Sequence, residues 1–344
     1  MQRCIQLAGL GMGNVIPNPM VGAVLVHNDR IIGEGYHEQY GFAHAEVACI
    51  NSVKPKDEAL LSTSTLYVSL EPCAHWGKTP PCADLIIQKN IPRVVIGCRD
   101  PFEKVDGKGI EKLEAAGVKV TVNICGKECE KLNKRFFTFH IKQRPYIIVK
   151  WAQTSDAKMA AADENRLLIS NEITNLLVHK WRSEEASILV GTNTALRDNP
   201  KLDNRFWSGK TPVRMVLDTK LRLPKSLHLF DNTKRTIVFT YEQQKEEEKV
   251  LYFQINKQKN IAAAISDACY QLNIQSVLVE GGAQLLKAFI DAGLWDEARI
   301  INNETLTIGE GLYVPSLHHH QLVKTETFFS DKIQYFIREG KSIL

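Results

Sequence analysis

A chain of 344 residues exceeds what one ordinary hydrophobic core organises, so two domains are expected. Apolar residues at 44% and charged residues at 24% describe a water-soluble globular protein, not a disordered or collagen-like one. The balance of 43 basic against 39 acidic residues, net +4 with no polybasic run, offers no support for nucleic-acid binding, and no stretch reaches the ~20 apolar residues of a membrane span.

Met1 to Leu10 carries one basic residue and a short apolar run without a clear cleavage site, so it reads as the first helix of the fold, shortened by a turn. Eight cysteines without regular spacing fit a reducing compartment, and a cytoplasmic location is expected. Val21 to Val26 and Ile31 to Tyr36 are apolar runs joined by His27-Asn28-Asp29-Arg30, a hairpin signal. Ala43 to Val53 follows with helical spacing, which puts His44 and Glu46 in the first turn, where the chain enters. Thr65 to Leu70 is a β-branched strand delivering Cys73 beyond its C-terminal end, and Cys82 to Ile87 reads as a helix preceded by prolines. A thiolate at such a helix start is stabilised by the positive end of the dipole.

Arg93 to Cys98 and Val118 to Ile124 are further strands, with Gly109 to Ala116 a helix between them. Strand and helix alternate, so the first domain is a layered α/β sheet. Cys125 to Arg144 is charged and carries no strong strand; the boundary is placed near Gln143, dividing the chain into 1–143 and 144–344. A second α/β pattern follows. Tyr146 to Trp151, Ser187 to Gly191, Val213 to Asp218, Thr236 to Thr240, Ser276 to Glu280 and Ala298 to Asn302 read as strands, and Asn171 to Glu185 and Gln284 to Ala292 as helices. Glu246-Glu247-Glu248-Lys249 reads as a solvated helix face. His318-His319-His320 is expected on a surface loop, and Cys125 and Cys129, without nearby His or Cys partners, as ordinary thiols.

The chemistry concentrates in His44-Ala45-Glu46 and in Pro72-Cys73-Ala74-His75-Trp76-Gly77-Lys78-Thr79-Pro80-Pro81-Cys82. One imidazole and two thiolates are the ligand set of a catalytic zinc with an open fourth position. Two thiolates neutralise the dication, and the open position takes a water whose pKa falls toward neutrality. Glu46 stands two residues from a ligand, placed to move that water's proton to a leaving amine. H-x-E with P-C-x-x-C is the signature of zinc nucleobase deaminases. Here eight residues, not two, separate the cysteines. A structural zinc is the competing reading; it would need a fourth protein ligand, for which His75 is the candidate, and would leave Glu46 without a role.

The long cysteine loop, with Pro17-Asn18-Pro19-Met20-Val21-Gly22, Gly33-Glu34-Gly35-Tyr36-His37, His44 to Val47 and Arg99-Asp100-Pro101, resembles the bifunctional pyrimidine deaminase/reductases of riboflavin biosynthesis. The resemblance implies an α/β protein with an N-terminal cytidine-deaminase-like three-layer domain and a C-terminal dihydrofolate-reductase-like domain. It implies Zn2+ and NADPH as cofactors and a pyrimidine ribosyl phosphate as substrate; no nucleic-acid or membrane partner is expected, and a homo-oligomer is. The first domain would deaminate a diamino-hydroxy-phosphoribosylamino-pyrimidine; the second would reduce its ribosyl group to ribityl. Asn18, held between two prolines, and His37 would orient the pyrimidine, and Lys78 and Thr79 the ribose phosphate.

In the second domain, Val277-Leu278-Val279-Glu280-Gly281-Gly282 runs from an apolar strand into a Gly pair and then a helix, leaving backbone N–H groups free for a phosphate. It is not the G-x-G-x-x-G fingerprint, which excludes a Rossmann reading. The family resemblance extends to Lys150-Trp151-Ala152-Gln153-Thr154-Ser155-Asp156-Ala157 and to Ile188 through Leu202. By that resemblance Ala152, Leu168, Thr194, Asp198, Thr219 and Gly282 would line the NADPH site, and Lys150, Arg182, Leu202, Arg205 and Glu280 would face the substrate, the arginines suited to its phosphate.

Two positions depart from the family. Ala157 stands where a Gly is usual, a cost of roughly 1 kcal/mol or more if φ is positive there. Leu168 replaces a Trp that touches the cofactor. These departures keep open a deaminase-only enzyme with an impaired reductase domain. A tRNA-type nucleic-acid deaminase predicts basic, aromatic surface around the pocket and no second α/β domain. A non-enzymatic zinc scaffold predicts a tetrahedral site without exchangeable water.

Overall fold

Alternation along the first hairpin decides the layering of the N-terminal unit. The computed structural model describes residues 1–76, 80–162 and 167–340, and the chain divides into one unit over Met1–Gln143 and a second from Arg144 onward. The first unit runs α1 (Gln2–Gly9), β1 (Gly22–His27), β2 (Arg30–Tyr36), α2 (Ala45–Asn51), β3 (Thr65–Leu70), α3 (Cys82–Gln88), β4 (Arg93–Cys98), α4 (Lys108–Ala115), β5 (Lys119–Thr121), α5 (Gly126–Leu132) and α6 (Lys134–Lys142). The sheet order is β2-β1-β3-β4-β5; β2, β1 and β3 pair antiparallel, while β3, β4 and β5 are parallel. Ala23 and Leu25 on β1 pack into the core with Ala45, Cys49 and Ala83, whereas Val24 faces Cys4 and Leu7 of α1. Helices therefore cover both faces, the three-layer arrangement expected.

Gly33 and Gly35 explain how closely α2 lies on β2. A Cβ on Gly35 would stand 2.3 Å from the Cys49 backbone nitrogen, and one on Gly33 2.6 Å from the Cys49 carbonyl oxygen. The helix thus presses on bare backbone, and its first turn is delivered to the end of the sheet where β3 releases the cysteine loop. Asn133, between α5 and α6, pins the proline-bounded turn from the other side: its Oδ1 accepts from Met20 N at 2.8 Å and its Nδ2 donates to Met20 O at 2.8 Å.

The second unit comprises β6 (Tyr146–Gln153), β7 (Lys158–Ala161), α7 (Glu172–Glu184), β8 (Ser187–Gly191), α8 (Thr192–Asp198), β9 (Val213–Leu217), β10 (Thr236–Thr240), β11 (Lys245–Glu247), β12 (Val250–Gln254), α9 (Ile261–Gln271), β13 (Ser276–Val279), α10 (Ala283–Asp291), β14 (Glu297–Asn303), β15 (Gly311–Tyr313), β16 (His320–Phe328) and β17 (Asp331–Arg338). A ten-stranded sheet has the order β11-β12-β10-β9-β8-β13-β6-β14-β17-β16. It is parallel from β12 to β14 and antiparallel at both ends. Ile147, Val149 and Val277 point toward α9 and α10, while Tyr146, Ile148 and Leu278 pack against Val178 and Trp181 of α7.

Three expectations change. The acidic run around Glu246 lies on strand β11, paired with β12, not on a helix; a short edge strand exposed on both faces has no alternation to betray it. The strand expected over Val118 to Ile124 is only Lys119–Thr121, because Asn123 and Cys125 take positive φ and turn the chain into α5. His320 belongs to β16, although it and its two neighbouring histidines are exposed as anticipated. Among the described residues no helix is long and apolar enough to cross a membrane.

Candidate active sites

The ends of three elements build the first site. His44 is the N-cap of α2 with extended backbone (φ −70°, ψ 162°), and Glu46 lies in the first turn. Cys82 opens α3 behind Pro81, and Cys73 follows β3. The ligand atoms of His44, Cys73 and Cys82 lie within 4.8 Å of one another. His44 Nδ1 is 3.6 Å from Cys73 Sγ and 3.3 Å from Cys82 Sγ, and the Cys82 backbone N–H donates to Cys73 Sγ at 3.3 Å. This donor set fits zinc. His75 is not part of the cluster; its ring packs edge-on against Phe102 at 6.0 Å. The closed structural site therefore lacks its candidate fourth ligand.

Glu46 is only 3% exposed. Burial first, and the nearby Cys73 second, push its carboxyl up to about 7. A hydrogen bond from Cys82 draws the Cys73 thiol down to about 4, against the effect of burial. Around this core, His37 Nδ1 donates to the Ala43 carbonyl at 2.9 Å, which leaves its Nε2 to accept from Asn18 Nδ2 at 3.1 Å. Burial lowers the His37 pKa, consistent with the neutral tautomer that this pairing needs. The His37 and His44 rings meet edge-on at 5.5 Å. Asn18 and His37 thus stand beside the His44, Cys73 and Cys82 cluster; Lys78 and Thr79 lie outside the described residues.

The second unit holds a cleft of 1390 Å³ at the C-terminal ends of its parallel strands, where ligands of open α/β sheets bind. Lys150, Ala152, Leu168, Arg182, Thr194, Asp198, Arg205, Glu280 and Gly282 all line it. Arg182 donates through Nε and Nη2 to Glu280 at 2.8 and 2.7 Å, and through Nη1 to the Asp203 carbonyl at 3.2 Å. Lys150 Nζ stands 3.9 Å from the same carboxylate. Burial opposes charge on Glu280, but Arg182 and Lys150 outweigh it and hold the carboxyl at about 2. Arg182, assigned to substrate phosphate by resemblance, has its fork committed to Glu280.

Gly281 takes φ +134°, and a Cβ on Gly282 would stand 2.9 Å from Thr194 Oγ1. The turn therefore admits backbone only, and Gly282 caps α10 without a side-chain hydrogen bond. Free N–H groups at this helix start, together with the size of the cleft, fit a dinucleotide phosphate.

Leu202 and Thr219 do not line the cleft. Leu202 is 2% exposed, packed with Ile188, Val190 and Val216. The Thr219 carbonyl accepts from Tyr241 N at 3.1 Å just beyond β9. Sequence reading missed His179, which lines the cleft and accepts from Arg205 N at 3.0 Å. Burial first, then Arg182 and Arg205, lowers its pKa to about 4, so it is neutral there. Its place three residues before Arg182 on α7 was the available signal. Arg222, also on the cleft, gave none.

Residues 1–98 match the family described as the cytidine and deoxycytidylate deaminase zinc-binding region, and residues 145–327 match the RibD C-terminal domain. The riboflavin biosynthesis protein RibD of Aquifex aeolicus is 38% identical over 98% of this chain and 97% of its own length. That of Bacillus amyloliquefaciens is 39% identical over 86% of this chain and 81% of its own. A solved deaminase/reductase from Thermotoga maritima superposes with a TM-score of 0.87 at 36% identity, covering 98% of this chain and 97% of that one.

Proposed function

The chain belongs to the RibD family of riboflavin biosynthesis, and from that membership we propose how its residues divide a deamination and a reduction. It is a bifunctional enzyme that uses Zn2+ in a deaminase unit and NADPH in a reductase unit. Its substrate is the diaminohydroxyphosphoribosylaminopyrimidine deaminated by the Thermotoga relative; its second reaction reduces the 5-amino-6-(5-phosphoribosylamino)uracil so formed.

His44, Cys73 and Cys82 would hold the zinc, which when bound supplies Lewis-acid activation of water. Glu46 takes up a proton on its buried carboxylate and returns it to the departing amino nitrogen, so that ammonia leaves neutral. The Asn18 amide, fixed by His37, holds the pyrimidine edge. The Gly281-Gly282 turn would hold NADPH, which would supply the hydride for the ribosyl C1′. Lys150 and Arg205 position the substrate phosphate, while Glu280 fixes Arg182 as the charged wall beside it.

The observation that carries this reading is the convergence of one imidazole and two thiols within 4.8 Å beside a buried glutamate. Mass spectrometry of products from zinc-loaded protein, with and without NADPH, tests it. Replacement of an amino group by oxygen is expected without NADPH, and gain of two hydrogens only with it. Glu46→Gln should keep zinc and lose deamination by about 100-fold or more; substantial residual turnover would falsify its role. We also infer a cytoplasmic enzyme, which its eight free cysteines support, and a homo-oligomer joined along β16. That edge strand exposes Leu322 and Val323 at 48% and 52%. Sedimentation equilibrium yielding monomer alone would exclude the assembly.

A further inference from the structure

We propose that Glu71 is a positioning residue for the deaminase metal site, tying the Cys73 ligand to the start of α4. Its side chain is spent on backbone N–H groups of the 100–110 segment. Glu71 is 4% exposed and immediately follows β3, two residues before Cys73. Its backbone N–H donates to the Cys98 carbonyl at 3.0 Å, which fixes the peptide to the end of β4. Its carboxylate receives four backbone N–H groups: Gly109 at 2.9 Å and Ile110 at 3.3 Å on Oε1, Gly107 at 3.0 Å and Asp100 at 3.2 Å on Oε2.

Three of these donors are the opening of α4, whose N-cap Gly107 offers no side chain of its own. A carboxylate is the acceptor best suited to such a cluster, with two oxygens and a charge that the helix start favours. Two glycines make the approach possible. Gly107 takes φ +90°, and a Cβ on Gly109 would stand 2.0 Å from the Pro72 carbonyl oxygen. The helix start therefore bears on the peptide joining Glu71 to the ligand, not on Glu71 alone.

The clamped segment also supports the cysteine loop from behind. Asp100 Oδ1 accepts from Phe102 N at 2.8 Å, and the Phe102 ring meets His75 edge-on at 6.0 Å, two residues past Cys73. Cys73 is thus flanked by Glu71 on one side and by His75 on the other, and both are held by the 100–110 segment. Residues that orient metal ligands typically cost 10–100-fold in metal affinity or activity when changed.

The test uses the full chain with Glu71→Gln, which keeps the shape but turns an NH2 toward N–H donors, and with Glu71→Asp, which keeps the charge. The readouts are zinc release to a chromogenic chelator, the thiolate-to-cobalt absorption band of the Co2+-substituted protein, and the division between kcat and KM. Glu71→Gln is expected to release zinc at least about 10-fold faster. It should also shift the cobalt band and lower the deaminase kcat with little change in pyrimidine KM or in reductase turnover. Glu71→Asp should recover part of each effect. Zinc release and cobalt band identical to the native chain would overturn the proposal, leaving Glu71 a cap for α4. Loss of cooperative unfolding of the first unit in both variants would overturn it equally, making the role structural. The inference rests on Cys73 as a ligand; a native chain that takes up neither zinc nor cobalt would overturn both together.

Discussion

Glu280→Gln in the reductase unit is a direct probe of the electrostatics of its cleft. The carboxylate is 7% exposed, bonded twice to Arg182 and 3.9 Å from Lys150, whose side chains are 14% and 13% exposed. Glutamine preserves the shape and removes the charge, leaving two buried cations facing each other. Breaking a buried pair on one side costs about 3–5 kcal/mol. For a unit of roughly 200 residues that lowers Tm by about 10 °C. Differential scanning calorimetry at neutral pH should show the loss in the reductase transition alone. Because Glu280 is held at about 2, below its ordinary 4.5, its contribution is complete above that ordinary value and fades as pH falls toward 2. The gap between native and variant should therefore narrow in acid. Inorganic phosphate should raise the variant's Tm more than the native chain's, since it can neutralise the freed cations. A shift under about 2 °C, or a gap that ignores pH, would refute the reasoning.

Further outcomes test the two sites separately. Stripping zinc with a chelator should abolish deamination while NADPH-dependent reduction of the already deaminated pyrimidine continues; loss of both would contradict independent sites. Leu168→Trp, at a cleft position 75% exposed, should lower KM for NADPH about 2- to 10-fold through stacking. An unchanged KM would remove residue 168 from the cofactor site. Ala157 sits at φ +58°, so Ala157→Gly should relieve about 1 kcal/mol of strain, partly offset by the entropy of glycine in the unfolded chain. A fall in Tm by calorimetry would show that the turn tolerates Ala without strain.

The deaminase site was legible because zinc chemistry demands particular residue types close together along the chain. His44 and Glu46 share one helix turn, and both cysteines border one loop, so spacing made each pair and the zinc donor set joined the two. Their supports were not legible. Asn133 reaches Met20 across 113 positions, and Glu71 reaches Gly109 across 38, each through backbone partners that have no residue signature. Strand β16 and helix α9 were missed for related reasons. Strand β16 is exposed along most of its length, and Ala-rich α9 is nearly all buried on its apolar side, which blurs both periods. Leu202 and Thr219, carried over from the family, mark loop positions whose side chains pack or turn away from the cleft.

The reductase half accommodates the Ala157 departure because hydrogen bonds on both sides of the turn fix its shape. A glycine missing from a turn matters only if the turn then changes shape. Here Asp156 holds it: Oδ1 accepts from Thr154 Oγ1 at 2.6 Å, and Oδ2 accepts from Gly309 N at 2.8 Å. Ala157 itself closes the turn, its N–H donating to the Thr154 carbonyl at 3.0 Å and its own carbonyl accepting from Val314 N at 3.2 Å. Strain of about 1 kcal/mol at one residue is small against five such bonds, each worth about that much; the fifth is Lys158 N to Thr154 Oγ1, at 3.0 Å. The conformation is therefore over-determined, and the substitution costs stability without moving Ala152, two residues before the turn, out of the cleft it lines. Leu168 has no comparable support, standing exposed at the cleft's edge. Of the two departures, then, the one at residue 157 bears on stability, and under the proposed placement of NADPH the one at residue 168 would bear on cofactor affinity.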